Sequence, residues 1–307
     1  MKAVVIGAGA MGCRFGAALH RAGVEVWLYD VAKPHVDAIN RDGLRIRAGG
    51  EVTALSIPAT TDISKVPKVD LAILFTKSIY AKSALEAARD ILEDGAAVLT
   101  LQNGLGNIET IEQFTPRENI IAGITNYATD LIGPGEIALT GDGIARIMPL
   151  SAKREVFAGE LARLFTLGGC NTTLSADVMV DIWEKVAFNA AFNALTCITQ
   201  LPVGGVGATE YGRSLALEIA SEVVAVANAE GVNADEERVH KTILGVIGPH
   251  ADHKPSMLQD RIAHRRTEVD SICGIVVEKA RLHSMRADCV NTVYRLIKVV
   301  ENSYLNP

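Results

Sequence analysis

A glycine-rich turn near the start of the chain is the feature that most limits its possible folds. An apolar run at residues 3–6 leads directly into the sequence Gly-Ala-Gly-Ala-Met-Gly at residues 7–12, and an apolar helical pattern follows until Gly23. A second apolar run, Glu25–Tyr29, ends in Asp30. A strand, a glycine turn, a helix and a second strand within about 30 residues predict one βαβ unit of a Rossmann-type sheet.

Each part of this turn has its own physical role. Gly7 permits the tight turn, Gly9 lets the backbone approach a pyrophosphate, and Gly12 lets the helix pack closely on the strand. Ala10 and Met11 begin the helix, where N–H groups and the positive end of the helix dipole attract phosphate. A turn that only connects two elements needs one glycine, so three at this spacing favour dinucleotide binding.

Asp30, at the end of the second predicted strand, bears on the choice of cofactor. An acidic residue about 20 positions beyond the glycine turn accepts hydrogen bonds from ribose hydroxyls and repels a 2′-phosphate, which favours NADH over NADPH. Arg14 and Lys33 are near enough in sequence to soften that repulsion. The alternative interpretation of Asp30 is a strand-end acid that faces water.

Further elements continue the predicted parallel sheet. Strands are predicted at residues 69–75 and 96–101, with a helix at 84–92 between them, and they are followed by Lys77 and Asn103. Because ligands bind outside the carboxyl ends of such strands, we expect both side chains at a ligand site. Solvated loop residues are the alternative. The glycine-rich segment 123–148 predicts antiparallel strands that extend the edge of the same sheet.

The second half of the sequence has a helical pattern throughout. Amphipathic stretches predict helices at residues 178–194, 211–230, 266–282 and 287–301. The sequence therefore predicts an α/β fold with two domains, a Rossmann-type doubly wound sheet at residues 1–170 and an all-helical domain at residues 171–307.

A stripe of polar residues marks the first of these helices. Lys185, Asn189 and Asn193 are spaced four apart, so each lies only about 40° around the helix from the last. The residues beside them are apolar, and a buried polar group without a partner costs about 1–3 kcal/mol. The stripe therefore predicts a helix that faces a polar cleft. The alternative is a ladder of polar side chains bonded to the neighbouring backbone.

A second group of candidate residues lies later in the chain. Ser256 follows a proline and predicts the start of a helix. Glu268 lies in a later helix, and the alternative to a role in the site is an acid exposed on the surface of that helix.

Composition narrows the classes of function. The 30 Lys and Arg residues against 36 Asp and Glu give a net charge of −6, which disfavours a nucleic-acid partner. Five scattered cysteines predict reduced thiols in the cytoplasm, and no apolar run approaches the length needed to cross a bilayer. His250 and His253 have no third ligand at metal spacing, so no metal site is expected.

Together these motifs resemble the ketopantoate reductases (2-dehydropantoate 2-reductases) over essentially the whole chain. The glycine turn is shared by many dehydrogenases. The combination of Lys-x3-Asn-x3-Asn-x-Leu-Thr at residues 185–196 with Ser-Met-x-Gln-Asp at 256–260 and Thr-Glu-x-Asp at 267–270 is much more specific. The resemblance implies a Rossmann domain, a helical domain like that of 6-phosphogluconate dehydrogenase, and a site in the cleft between them.

The same resemblance implies roles for single residues. Lys185 is expected to be the general acid, with Glu268 in contact with it and with the substrate hydroxyl. The remaining assignments are substrate binding by Asn189, Asn193 and Ser256, and contact with the nicotinamide end of the cofactor by Lys77 and Asn103. NADPH is the cofactor that the family implies, against the preference for NADH that Asp30 indicates.

Three functions stay open from the sequence. The first is reduction of 2-dehydropantoate to pantoate. The second is an NAD-dependent D-2-hydroxyacid dehydrogenase acting on bulkier 2-keto acids, which is favoured by Asp30. Ala194, where the family usually has proline, is a second departure from the family pattern. The third is a protein that senses NAD(P) without turnover, although a sensor does not need a buried lysine. A homodimer is expected by analogy.

Overall fold

The computed structural model describes residues 1–305, which form two compact units. The first unit contains residues 1–102 and 107–178, and the second contains residues 103–106 and the chain from 179 onward. The first unit ends at Val178, whereas the predicted domain boundary is at residue 170. The unit extends further because the strand at Thr172–Leu174 pairs with Ala145–Ile147 in its sheet.

The first unit is an α/β domain. Its strands are β1 (Lys2–Ile6), β2 (Glu25–Tyr29), β3 (Leu44–Ala48), β4 (Glu51–Leu55), β5 (Ala59–Thr60), β6 (Leu71–Leu74), β7 (Ala97–Thr100), β8 (Ile120–Thr125), β9 (Ala128–Gly133), β10 (Glu136–Thr140), β11 (Ala145–Pro149) and β12 (Thr172–Leu174). Its helices are α1 (Ala10–Arg21), α2 (Lys33–Asp42), α3 (Ser78–Ala87), α4 (Arg89–Glu93), α5 (Asn107–Ile111) and α6 (Glu155–Leu167).

The main sheet has the strand order β12-β11-β8-β7-β6-β1-β2-β5, and every neighbouring pair is parallel except β8 and β11. β1 is buried on both faces: Ala3 and Val5 pack into one apolar cluster, whereas Val4 and Ile6 pack into another. This two-sided burial is the reason for the uninterrupted apolar run in the sequence. The chain order reverses between β1 and β6, which makes their carboxyl ends the switch point of a doubly wound sheet.

Two predictions for this unit are wrong in part. Within segment 123–148, β8 and β11 do extend the main sheet, but β9 and β10 join β3 and β4 in a separate four-stranded sheet. That sheet was not predicted because β4 is short and almost wholly exposed, so no buried apolar run marks it. The single helix predicted at 84–92 is two helices, α3 and α4, separated at Ala88.

The second unit is helical, as predicted. Its helices are α7 (Val178–Thr199), α8 (Val203–Gly207), α9 (Glu210–Ala229), α10 (Glu236–Val246), α11 (Ser256–Ile262), α12 (Ile275–Leu282) and α13 (Asp288–Leu305). The long helix predicted at 266–282 begins later and is irregular, because residues 270–274 form a π-helical turn before α12. α7 supplies much of the apolar core through small and aromatic side chains such as Ala187, Ala190 and Phe192.

The described residues bear on two features considered in the sequence, membrane-spanning helices and the state of the cysteines. None of the helices within residues 1–305 is both long enough and apolar enough to cross a membrane. All five cysteines are free thiols.

Candidate active site

The glycine turn lies at the switch point of the main sheet. Gly7 has φ +93°, and a Cβ atom there would come within 2.6 Å of the Thr76 backbone nitrogen, just beyond β6. A Cβ atom on Gly12 would lie 2.1 Å from the Gly7 carbonyl oxygen. Both contacts leave no room for a side chain, so the close packing of β1, α1 and β6 depends on these two glycines.

Gly9 differs from the other two glycines because a Cβ atom there would meet nothing within 4 Å. The open space is next to the start of α1, whose first turn has neither a capping side chain nor an acidic residue. Ala10 and Met11, the first two residues of α1, are partly exposed. An uncapped helix start beside open space fits a phosphate group.

Asp30 is partly exposed at the end of β2, and its Oδ1 accepts a hydrogen bond from the Ala32 N–H at 2.9 Å. The two cations that the sequence placed nearby make other contacts. Arg14 is buried, donates to the Ala128 carbonyl at 3.0 Å and stacks on the Tyr127 ring. Lys33 pairs with Asp37 at 2.7 Å. The expectation that Arg14 or Lys33 offsets the charge of Asp30 is therefore not supported.

A buried histidine that the sequence analysis missed supports the glycine turn. The His35 Nε2 lies 2.8 Å from the Ala8 carbonyl, and the His35 Nδ1 accepts a hydrogen bond from the Gly135 N–H at 2.9 Å. With Nδ1 as acceptor, the neutral ring carries its hydrogen on Nε2 and donates it to Ala8. The ring therefore links the turn to the loop between β9 and β10. A lone histidine in α2 carries no sequence signal for this role.

The segment after β6 completes the switch point. Lys77 is partly exposed and immediately precedes α3, and the backbone of its neighbour Thr76 lies against Gly7. The Thr76 carbonyl accepts a hydrogen bond from Gln102 Nε2 at 2.7 Å. The Thr76 Oγ1 is buried without a hydrogen-bond partner among the described residues.

Asn103, predicted to act with Lys77, belongs to the second unit. The segment 103–106 packs there against the π-helical turn: the Leu105 N–H donates to the Ser271 carbonyl at 2.8 Å, and Gly104 has φ +84°. A Cβ atom on Gly104 would come within 2.5 Å of that same carbonyl oxygen. Asn103 is thus attached to the segment that carries Glu268.

The polar stripe lies on α7, as its spacing predicted. Asn189 is 8% exposed and Asn193 is 4% exposed. Buried amides need hydrogen-bond partners, and a ligand bound along the stripe would supply them. Ser256 is the exposed first residue of α11.

Lys185 and Glu268 are brought within electrostatic reach of each other. Burial lowers the pKa of Lys185 to about 8, and the Glu268 carboxylate acts in the opposite direction by favouring the charged amine. An amine with this pKa carries a proton at neutral pH and releases it more readily than an ordinary lysine. The pair can therefore stabilise a developing oxyanion and protonate it.

No group of three His, Cys, Asp or Glu side chains within residues 1–305 is arranged to hold a metal ion. His250 and His253 are exposed near the start of α11.

Comparison with known proteins covers almost the whole chain. Two family models match it, one described as "Ketopantoate reductase PanE/ApbA" at residues 3–151 and the other as its C-terminal part at residues 177–301. A 2-dehydropantoate 2-reductase of Lactococcus lactis subsp. lactis is 35% identical over 302 residues, which is 97% of each chain. One from Streptococcus pyogenes is 31% identical over 98% of each chain.

Solved structures of similar proteins also match almost the whole chain. A ternary complex of D-mandelate dehydrogenase with NADH and anilino(oxo)acetate is 32% identical, covers 99% of this chain and 100% of its own, and has a TM-score of 0.94. A PanE/ApbA family ketopantoate reductase from Ralstonia eutropha is 31% identical over 100% of both chains, with a TM-score of 0.92.

Proposed function

Because the chain belongs to the ketopantoate reductase family, we propose that it is an oxidoreductase that reduces 2-dehydropantoate to pantoate with a nicotinamide cofactor. The observation that carries this proposal is the pairing of Glu268 with Lys185, which lies on a helix that also carries two buried asparagines, Asn189 and Asn193. Curated relatives that are 2-dehydropantoate 2-reductases over their full length support the same reaction.

The residues of the first unit would bind the cofactor. The uncapped start of α1, at Ala10 and Met11, and the open face of Gly9 fit its diphosphate. Asp30 would accept hydrogen bonds from the ribose hydroxyls. The nicotinamide end would lie along Lys77, and Asn103, which belongs to the second unit, stays the other residue proposed to contact it. When bound, the nicotinamide supplies the hydride that adds to the ketone carbon of the substrate.

The residues of the second unit would bind the substrate and complete its reduction. Negative charge develops on the carbonyl oxygen as the hydride arrives, and the Lys185 ammonium stabilises that charge and then donates its proton. Glu268 orients the amine and contacts the hydroxyl that forms. Asn189, Asn193 and Ser256 hold the hydroxyl and carboxylate of the substrate.

We propose NADH as the preferred cofactor, although the family resemblance implied NADPH. The carboxylate of Asp30 would repel a 2′-phosphate, and Arg14 is held by Ala128 and Tyr127 instead of facing that phosphate. The solved complexes of D-mandelate dehydrogenase contain NADH.

These same observations favour a second candidate, an NAD-dependent D-2-hydroxyacid dehydrogenase that acts on bulkier 2-keto acids. No observation favours a protein that only senses the cofactor, since sensing needs no lysine with a lowered pKa beside a carboxylate.

The test is the oxidation of NADH and of NADPH with 2-dehydropantoate, 2-ketoisovalerate and phenylglyoxylate. We expect the largest kcat/KM with 2-dehydropantoate and NADH. A preference for phenylglyoxylate would establish the second candidate, and no turnover with any 2-keto acid would reject both. A strong preference for NADPH would reject the role proposed for Asp30.

We also propose that the protein is a cytoplasmic homodimer. The association is supported by analogy, since twofold dimers are the commonest oligomers of soluble proteins. Light scattering at micromolar concentration tests it, and a monomer mass would reject it.

A further inference from the structure

A buried carboxylate near the end of α13 has no role in the mechanism above. Glu301 is 3% exposed, and its Oε1 accepts two hydrogen bonds from Thr267, from the backbone N–H at 2.6 Å and from the Oγ hydroxyl at 2.7 Å. Its Oε2 lies 3.4 Å from the Lys298 Nζ. A carboxylate is buried only where such partners replace water, so this contact fixes the position of Thr267 firmly.

The same helix holds the chain on the other side of Glu268. The Asp270 carboxylate accepts hydrogen bonds from the Tyr294 hydroxyl and from the Lys298 Nζ, each at 2.9 Å. Tyr294, Lys298 and Glu301 are spaced four and then three residues apart, which places them on one face of α13. One helix face therefore anchors residue 267 and residue 270, and Glu268 lies between them.

The backbone of Glu268 is fixed within this frame. Its carbonyl accepts hydrogen bonds from the Ser271 N–H at 3.2 Å and from the Ile272 N–H at 3.1 Å. Thr267 Oγ1 also accepts a hydrogen bond from the Val269 N–H at 3.2 Å. The π-helical turn at 270–274 follows at once, and such turns often occur at functional sites.

We propose that Glu301 is a positioning residue for Glu268, because by anchoring Thr267 it sets the distance between the Glu268 carboxylate and the Lys185 amine. This inference rests on the proposed catalytic role of that pair. Glu301 itself touches neither substrate nor cofactor in the proposal.

The consequence can be measured at Lys185. Burial lowers the pKa of this amine and Glu268 raises it, so a displaced Glu268 lets the pKa fall further below about 8. The charged and titratable groups that Glu301 acts on are Tyr294, Lys298 and Tyr304 on α13 and Cys197 on α7. Burial raises the pKa of Tyr304 and of Cys197, and the Glu301 carboxylate raises both further. Glu268 is the charge that acts on Lys185.

The experiment compares Glu301→Ala, Glu301→Gln and Thr267→Val with the control Glu278→Ala, an exposed acid on α12. The pKa of Lys185 is measured in the full-length enzyme without substrate, from the pH dependence of its acetylation by acetic anhydride, followed by mass spectrometry. We expect a midpoint lower by about 0.5 pH or more in Glu301→Ala. The Gln variant, which keeps an acceptor oxygen, restores most of the difference.

Kinetics give the second readout. In Glu301→Ala we expect kcat for ketone reduction to fall about 5- to 20-fold, whereas KM and the cofactor Kd change less than about twofold. Thr267→Val keeps the size of the side chain and removes both hydrogen bonds of its hydroxyl, the one to Glu301 and the one from the Val269 N–H. The backbone N–H of residue 267 still donates to Glu301, so this variant shifts the Lys185 midpoint in the same direction by less. If Glu301→Ala does not fold, Thr267→Val and Glu301→Gln provide the test.

A Lys185 midpoint in Thr267→Val and Glu301→Ala equal to that of Glu278→Ala overturns the inference. If the midpoint shifts while the wild-type enzyme reduces no 2-keto acid, the positioning role stands and the proposed function fails. If the midpoint stays fixed while the wild type reduces 2-dehydropantoate, the proposed function stands and the positioning role fails.

Discussion

The two candidate binding regions are built from different parts of the chain. In the first unit the site is made of backbone: N–H groups at the start of α1, the open face of Gly9, and the close packing that Gly7 and Gly12 allow. In the second unit the site is made of side chains, with Lys185, Glu268 and two buried amides. Binding at a site made of backbone is weakened when a substitution adds a side chain. The function of a site made of side chains is lost when a substitution truncates them. Substitutions of these two kinds can therefore separate binding of the cofactor from chemistry.

The largest effect is expected from removing the amine. Lys185→Ala should lower kcat by about 10²- to 10⁴-fold, because the general acid and the charge that stabilises the oxyanion are lost together. The cofactor Kd, measured by fluorescence titration, should stay nearly unchanged. Lys241→Ala, at an exposed lysine of α10, is the matched control. A turnover near that of the wild type would remove Lys185 from the mechanism.

Loss of a buried amide comes next. Asn193→Ala should lower kcat/KM by about 5- to 100-fold, since a hydrogen bond to the substrate is worth about 1–3 kcal/mol when its loss leaves a polar group unpaired. Steady-state kinetics measure the effect, with the exposed Asn233→Ala as control. If both variants have the same kcat/KM, Asn193 does not contact the substrate.

In the backbone region, two glycines give a matched pair. Gly9→Ala adds a methyl group in open space, so we expect an unchanged Tm and a cofactor Kd raised about 10-fold. Gly12→Ala places that group 2.1 Å from the Gly7 carbonyl oxygen, so it should lower Tm as well. Gly133→Ala, also in open space, is the control. An unchanged cofactor Kd in Gly9→Ala would contradict diphosphate binding at this turn.

The smallest effect is the dependence of ketone reduction on pH. The donor must be protonated, and the pKa of Lys185 is lowered to about 8. The rate should therefore be at its plateau below this pH, half-maximal near it, and about one tenth of the plateau one pH unit above it. A rate that stays constant up to pH 10 would show that another group donates the proton.

The two regions also differ in how well the sequence predicted them. The glycine turn and the α7 stripe could be predicted because each lies within a short stretch of chain. Over such a stretch, spacing along the sequence gives position in space. Burial on both faces made β1 and β2 evident, whereas the exposed strand β4 left the second sheet unforeseen. His35 and Glu301 act through contacts with residues far away in sequence, and no local pattern marks such contacts.

The short segment 103–106 has a consequence for the ancestry and dissection of the chain. Since it belongs to the helical unit while the residues on either side belong to the sheet unit, the polypeptide passes from one unit to the other three times. Proteolysis or gene fission after Val178 would leave the segment on the wrong fragment and would deprive the Ser271 carbonyl of the Leu105 N–H. The carboxyl-terminal fragment would thus lack a part of its own unit, whereas the amino-terminal fragment would carry a segment that belongs to the other.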